Sequence, residues 1–130
     1  MLLRCLETGE WSVVEEATSA DLSPITSALE RVAPDRKADI AGMLVLFERA
    51  ASNGPRSLPS TLCHEVGQGI WEFSKGVVRV LFFEADGRLV LCSHAFRKKT
   101  QKAPRKEVDK AVRLRDRYIA DRQAGNVKIK

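Results

Sequence analysis

Between Ile70 and Lys102 the chain reads IWEFSKGVVRVLFFEADGRLVLCSHAFRKKTQK, and this stretch limits the fold more than any other. Two glycine turns, Ser74-Lys75-Gly76 and Ala85-Asp86-Gly87-Arg88, each stand between runs of Val, Leu and Phe. Glycine tolerates the positive φ of a tight turn, and Asp-Gly between apolar runs is a strong hairpin signal. The pattern predicts three antiparallel strands over about 70–74, 77–84 and 88–96. The third is apolar on both faces, with Leu89 and Leu91 against Val90, Cys92 and Phe96, as a strand covered on both sides would be.

The middle strand carries one charge, Arg79, among Val77, Val78, Val80, Leu81, Phe82 and Phe83. A guanidinium keeps its proton and is not buried without a partner, so it either pairs with a carboxylate or faces an anion in a cleft. Directly after the third strand come Arg97, Lys98 and Lys99, then Lys102, Arg105 and Lys106. One strand Arg beside a basic cluster at the sheet edge points to a phosphate site.

The length, 130 residues, fits one domain covering residues 1–130. The formal charge of +5 is unevenly spread: residues 97–130 hold 13 Lys or Arg against 4 Asp or Glu, whereas residues 1–96 hold 9 against 13. Such polarity predicts a polyanion or an acidic protein docking on the C-terminal side. No apolar run approaches the ~20 residues that span a bilayer, and the apolar start Met1–Leu6 is too short for a signal peptide. No membrane association is therefore expected. Three dispersed cysteines, Cys5, Cys63 and Cys92, form no CxxC, which fits unpaired thiols in a reducing cytoplasm and no metal site.

In chain order, Trp11–Ala17 reads as a first strand. Ser23-Pro24 then reads as an N-cap followed by Pro at the first helical position, with Leu22, Ile25, Leu29 and Val32 near helical spacing. Pro34-Asp35 opens a second helix with the stripe Ile40, Met43, Leu44, Phe47, Ala50 and Ala51, stopped at Asn53-Gly54-Pro55. Residues 55–69 read as a loop, and its His64 as an exposed or locally bonded histidine rather than a catalytic one. Pro104 marks the start of a last helix to about Arg122, burying Val108, Ala111, Val112, Tyr118 and Ile119 and displaying Lys110, Arg113, Arg115 and Arg117. Gly125 ends it, leaving a frayed tail.

The segment WEF-x5-RVLFF, followed by a turn and a strand ending HAFRKKTQKAP, resembles the phage-derived, HigB-like branch of the RelE/ParE toxin superfamily. The likeness is close over about residues 70–112, and Ala95–Pro104 is its specific part. It implies an α+β fold: a small twisted, mostly antiparallel sheet of about four strands, an N-terminal helical hairpin (about 22–53) on one face, and a basic C-terminal helix (about 104–122). The sheet's other face would be partly open and basic. It implies a toxin of a type II toxin–antitoxin pair, an endoribonuclease cutting mRNA on the ribosome, with a helix-turn-helix antitoxin as partner and no cofactor.

Such an enzyme aligns an RNA 2′-oxygen with the adjacent phosphorus, stabilises phosphoryl charge and protonates the leaving 5′-oxygen. By resemblance Arg79 is the phosphate clamp, and Lys98 and Lys99 contact phosphate. Glu72 of WEF is either the general base or a cross-strand partner of Arg79, and the two roles are compatible. His94, placed by alternation on the face of Cys92 and Phe96, is a secondary acid–base candidate beside its core reading. Lys75, standing where the family has an Arg, joins Arg97, Lys102 and Arg105 as RNA-binding. Trp71 and Phe73 read as core, with base stacking by Phe96 as a lesser option. The Tyr that several relatives use after the basic cluster is missing, the one Tyr being Tyr118. Two other readings stay open: a ParE-like protein that binds and inhibits DNA gyrase, and an inactive phage-derived RNA-binding remnant.

Overall fold

A computed structural model describes residues 1–17 and 23–130. The chain opens with strands β1 (Leu2–Thr8) and β2 (Ser12–Glu16), followed by helices α1 (Pro24–Val32) and α2 (Lys37–Asn53). Strands β3 (Cys63–Gly67), β4 (Ile70–Lys75), β5 (Val78–Ala85) and β6 (Leu89–Arg97) come next, then helix α3 (Arg105–Gln123) and strand β7 (Lys128–Ile129). The described strands form one sheet in the order β3-β4-β5-β6-β2-β1-β7. Neighbours β2–β6 and β1–β7 are parallel and the other pairs antiparallel, so the sheet is mixed.

The β4–β5–β6 meander sits within a residue or so of its expected strands, turning at Gly76 (φ 54°) and at Gly87-Arg88 (φ 81° and 57°). Ser23 caps α1, its Oγ accepting from the Thr26 N–H at 3.2 Å, and Pro24 takes the first turn. The α2 helix starts three residues later than Pro34-Asp35 predicted, because Asp35 is engaged by Arg97 instead of capping the helix. Pro104 stands at the cap of α3, one residue outside the helix. Leu22, expected on the α1 stripe, lies outside the described residues.

The architecture corrects the one expected from resemblance. The class is α+β, but there are seven strands among the described residues, not about four. The N-terminal hairpin is built of strands, β1 and β2, not of helices. The α1 and α2 helices follow it, α1 docking against β6 and α2 against β1 and β4. The longest helix is the C-terminal one. The loop 55–69 contains strand β3, and the tail contains β7, which pairs with β1 beside an N-terminal ammonium hydrogen-bonded to the Asn126 carbonyl at 2.8 Å.

Two apolar clusters lie on opposite faces of the sheet. On one, α1 and α2 cover Val13, Phe73, Val80, Phe82, Val90 and Cys92. Phe73 stacks on Phe82 at 4.3 Å and meets Phe47 of α2 edge-on at 5.5 Å. On the other, α3 covers Leu3, Val14, Ile70, Leu81, Phe83 and Leu91 with Val108, Ala111, Leu114 and Tyr118. The expected partly open, basic face is therefore closed along most of its length. Val112 is half-buried and Ile119 exposed; Leu114, not among the residues expected to be buried, takes the place of Ile119. No helix of the described residues is long and apolar enough to cross a membrane.

Candidate functional site

Alternation along β4 and β5 places Glu72 and Arg79 on the α3 face, flanked by Phe73, Val78 and Val80, which point to the other face. In the β4–β5 register Ser74 opposes Arg79 and Glu72 opposes Leu81, so Glu72 and Arg79 are diagonal neighbours. The Arg79 Nε lies 3.5 Å from Glu72 Oε1, and both residues are buried. Arg79 is held from below by its own turn: its Nη1 donates to the Gly76 carbonyl at 2.7 Å and to the Val78 carbonyl at 2.8 Å. That turn is in turn held by α2, where Asp39 Oδ2 accepts from the Val77 N–H at 3.0 Å. A β-carbon at Gly76 would fall inside the Asp39 carboxylate. The strand Arg is thus oriented by a chain of contacts running back to a helix on the opposite face. Its Nη2 makes no hydrogen bond within the described residues.

The structure adds a third member that loop composition had set aside. His64 lies on β3 directly opposite Glu72, with its Nε2 3.4 Å from Glu72 Oε1. The Nδ1 of His64 is 3.2 Å from the Ser60 carbonyl, which can only accept, so the ring carries its proton on Nδ1. The neutral ring then presents a bare Nε2 to Glu72, and a protonated ring presents a second N–H. His64, Glu72 and Arg79 form a row across three adjacent strands, with the His64 side chain 43% exposed and the other two nearly enclosed. The signal that would have found it is the period: His64 and Val66 alternate with Cys63 and Glu65. The polar residues and the Gly67-Gln68-Gly69 turn hid the strand.

Burial pushes the Glu72 carboxyl above the usual carboxylate range, while Arg79, then His64 and Lys98, pull it back down. Lys98 therefore acts on this site. Its backbone N–H donates to the Val77 carbonyl at 2.7 Å, extending the β5–β6 ladder and keeping it beside the Arg79 turn.

The other expected residues are not all gathered here. Lys99 and Lys102 are exposed on the connection to α3, and Arg105 is exposed with Asp109 at 3.9 Å. Lys75 points to the opposite face, where its aliphatic stem lies on Gly42 of α2. Arg97 is engaged on that same side, donating to Asp35 at 2.6 and 3.2 Å. That contact favours the charged form of both partners: Asp35 is held below the usual carboxylate range and Arg97 above its ordinary value, chiefly by their mutual hydrogen bonds. Arg117 is likewise forked onto Glu16 at 2.8 and 3.0 Å, and Arg115 donates to the Gln68 carbonyl. Part of the basic C-terminal charge is thus spent on fastening α3 and β6 to the rest of the chain.

His94 is displaced from its expected face mate by a bulge. The β5–β6 register jumps between Leu81–His94 and Phe82–Cys92, leaving Ser93 as the extra residue. Cys92 consequently faces α1 and α2, whereas His94 and Phe96 face α3. Ser93 Oγ lies 2.8 Å from His94 Nδ1, and Glu107 Oε1 lies 3.3 Å from His94 Nε2 without forming an aligned hydrogen bond. Burial, and then Lys110, hold this imidazole below its ordinary value, with Glu107 opposing them. Phe96 is buried 5.8 Å from the His94 ring, within the core rather than set out for stacking. Trp71 packs against the opposite cluster and carries the Arg56 guanidinium over its ring at 5.1 Å.

No group of three or more His, Cys, Asp or Glu able to hold a metal ion occurs among the described residues. The arrangement offers instead a buried carboxyl between an exposed imidazole and a fixed guanidinium, with a lysine at its border. Those groups can hold an anion and move a proton. No curated protein gives a significant sequence match to the chain. Residues 33–116, which contain α2, the whole meander and most of α3, match the family described as phage derived protein Gp49-like (DUF891). The protein belongs to this Gp49-like family of phage-derived proteins, a family of the RelE/HigB toxin-like superfamily.

Proposed function

We propose that this protein is the toxin of a type II toxin–antitoxin pair and acts as an endoribonuclease on mRNA held in the ribosome. The observation that carries this reading is the His64–Glu72–Arg79 row with Lys98 at its border, in a chain of a toxin-like family. In the proposed reaction Arg79, through its unused Nη2, and Lys98 hold the phosphoryl oxygens. Glu72, whose carboxyl is more basic than usual, takes the proton of the 2′-hydroxyl as that oxygen attacks phosphorus. The bond to the 5′-oxygen breaks, and protonated His64, the most accessible of the three, supplies its proton. The products are a 2′,3′-cyclic phosphate and a free 5′-hydroxyl, and the His64–Glu72 contact returns the proton to the imidazole. Lys99, Lys102 and Arg105, all exposed, are proposed to meet flanking phosphates, by charge rather than fixed geometry. His94 stays a secondary acid–base candidate, since Glu107 and α3 enclose it. The partner that silences the toxin is proposed to be a helix-turn-helix antitoxin, and the site of action the cytoplasm.

The test is induced expression of the wild type beside Arg79→Ala and His64→Ala, with growth and mRNA 5′ ends followed together. Growth arrest with new 5′ ends inside translated frames, both lost in Arg79→Ala, supports the ribonuclease. Arrest without RNA cleavage would redirect the search to a protein target such as gyrase, and no arrest to an inert RNA-binding remnant.

A further inference from the structure

A second place in the molecule is built for a ligand, and it is not the His64–Glu72–Arg79 row. Strands β2 and β6 are parallel neighbours, paired from Ser12–Leu89 to Glu15–Cys92. In chain order β2 is followed by α1, which lies on one face of the sheet, and β6 by α3, which lies on the other. Adjacent parallel strands whose carboxyl ends part in this way leave a crevice between them, the usual seat of ligands in such sheets. A cleft of about 610 Å³ opens at this point. Ile25 of α1 and Leu114 of α3 supply apolar walls, and Ser93, the bulged residue of β6, lies between them. That volume is in the range of small-molecule sites and suits a mononucleotide.

Polar groups of both signs line it, Asp116 among them. Glu15, 1% exposed, accepts from the Ile25 N–H through Oε1 at 2.8 Å, while its Oε2 is buried without a hydrogen-bond partner among the described residues. A buried carboxyl oxygen with no donor is costly unless something else supplies one. At the outer wall stand Lys110 and Arg113 of α3, neither drawn into an ion pair among the described residues, whereas Arg117 beside them is already held by Glu16. An acceptor at the buried wall and free cations at the outer wall call for one molecule with an N–H donor at one end and an anion at the other.

We infer that this cleft binds a nucleotide, its base edge donating an N–H to Glu15 Oε2 and its phosphate meeting Lys110 and Arg113. The choice of a nucleotide over other amine-bearing anions rests on the RNA reading above; the cleft and its unpaired acceptor do not. The same chemistry is offered by a free mononucleotide and by one unit of an RNA strand. The second source would make the cleft a base-reading subsite.

The test is a titration of the purified full-length protein with AMP, CMP, GMP and UMP, followed through amide resonances and by calorimetry, with ribose 5-phosphate as the baseless control. At least one nucleotide is expected to bind saturably, shift the Ile25, Ser93 and Leu114 amides, and bind at least about tenfold more tightly than ribose 5-phosphate. Glu15→Gln keeps an acceptor for the Ile25 N–H but replaces the second oxygen with a donor. It should remove that tenfold advantage without lowering the unfolding midpoint, since a buried unpaired carboxyl oxygen is lost. Lys110→Ala with Arg113→Ala, both on the surface of α3, should weaken nucleotide and ribose 5-phosphate alike. Trinucleotides with 2′-O-methyl riboses, which cannot be cleaved by 2′-attack, distinguish the sources: tighter binding than the mononucleotide assigns the cleft to RNA, weaker binding to a free nucleotide. No saturable binding of any nucleotide, or binding that Glu15→Gln leaves unchanged, overturns the inference. Because binding is read without cleavage, an inactive ribonuclease site and an empty cleft give separate results.

Discussion

Two helices cover one face of the sheet and one helix the other, and the two faces are built to different rules. The face under α1 and α2 is apolar from Val13 to Ala95 apart from the buried Glu15, and is centred on the Phe47–Phe73–Phe82 contact. The face under α3 is apolar in its middle but carries Glu72, Arg79 and His94 within the same layer. Charged groups enter a packed layer only where partners meet them. Here the partners are His64, two turn carbonyls and Glu107. The comparison teaches that one face holds the molecule together while the other gives up packing for reactive groups, and that the first face orients the second. Asp39 of α2 grips the Gly76 turn, and the Gly76 carbonyl grips Arg79.

Truncation of the apolar face should have the largest effect. Phe82→Ala removes a fully buried ring stacked at 4.3 Å on Phe73 and should cost about 3–5 kcal/mol, measured by denaturant unfolding. A loss below about 1 kcal/mol would mean that this face does not carry the stability assigned to it.

The link between the faces is broken by Gly76→Ala. The new side chain meets the Asp39 carboxylate and must adopt φ near 54°, so a loss of about 1–3 kcal/mol is expected. RNA cleavage should fall further than the unfolded fraction accounts for, because Arg79 loses its anchor. Cleavage that merely tracks the folded fraction would show that the turn does not orient the guanidinium.

The polar groups of the α3 face should be visible in the pH dependence of stability, with opposite signs for its two buried titratable groups. His94 sits below its ordinary value of 6.5 in the folded protein, so its contribution is present above pH 6.5 and is lost as the pH falls through the folded value. His94→Gln should flatten that acid limb of the unfolding midpoint. Glu72 sits above 4.5 in the folded protein, so its ionisation lowers stability as the pH rises from 4.5 through the folded value. Glu72→Gln should therefore gain on the wild type towards neutral pH, and identical profiles would place both groups in water-like surroundings.

The smallest effect is expected at Arg97. Its fork to Asp35 is solvent-exposed, so Arg97→Ala should shift the unfolding midpoint only slightly and leave RNA binding nearly intact. A large loss of RNA affinity would place Arg97 on the binding surface in spite of its fork to Asp35.

The meander was legible because its signals are local. Gly76 and Asp86-Gly87 mark the turns, and the Val, Leu and Phe runs between them have no alternative to strands. The start of α1 at Ser23-Pro24 and the stop of α2 at Gly54 follow the same logic. What escaped was held by distant partners. The β1 strand has one fully buried side chain, Leu3, and exists as a strand because β2 and β7 pair with it. The β3 strand, with His64 and Glu65 at its centre, is a strand because Trp71, Glu72 and Phe73 offer it a ladder.

The sequence alone determined which residues can turn, which must be buried and where the positive charge is concentrated, since φ preference, hydropathy and charge belong to each residue. Only the tertiary structure decided which charges are free. It tied Arg97 to Asp35 and Arg117 to Glu16, turned Lys75 to the far face, and brought His64 to Glu72. Those outcomes depend on register and on a single bulged residue, Ser93, because a one-residue slip sends a side chain through the sheet to its other face.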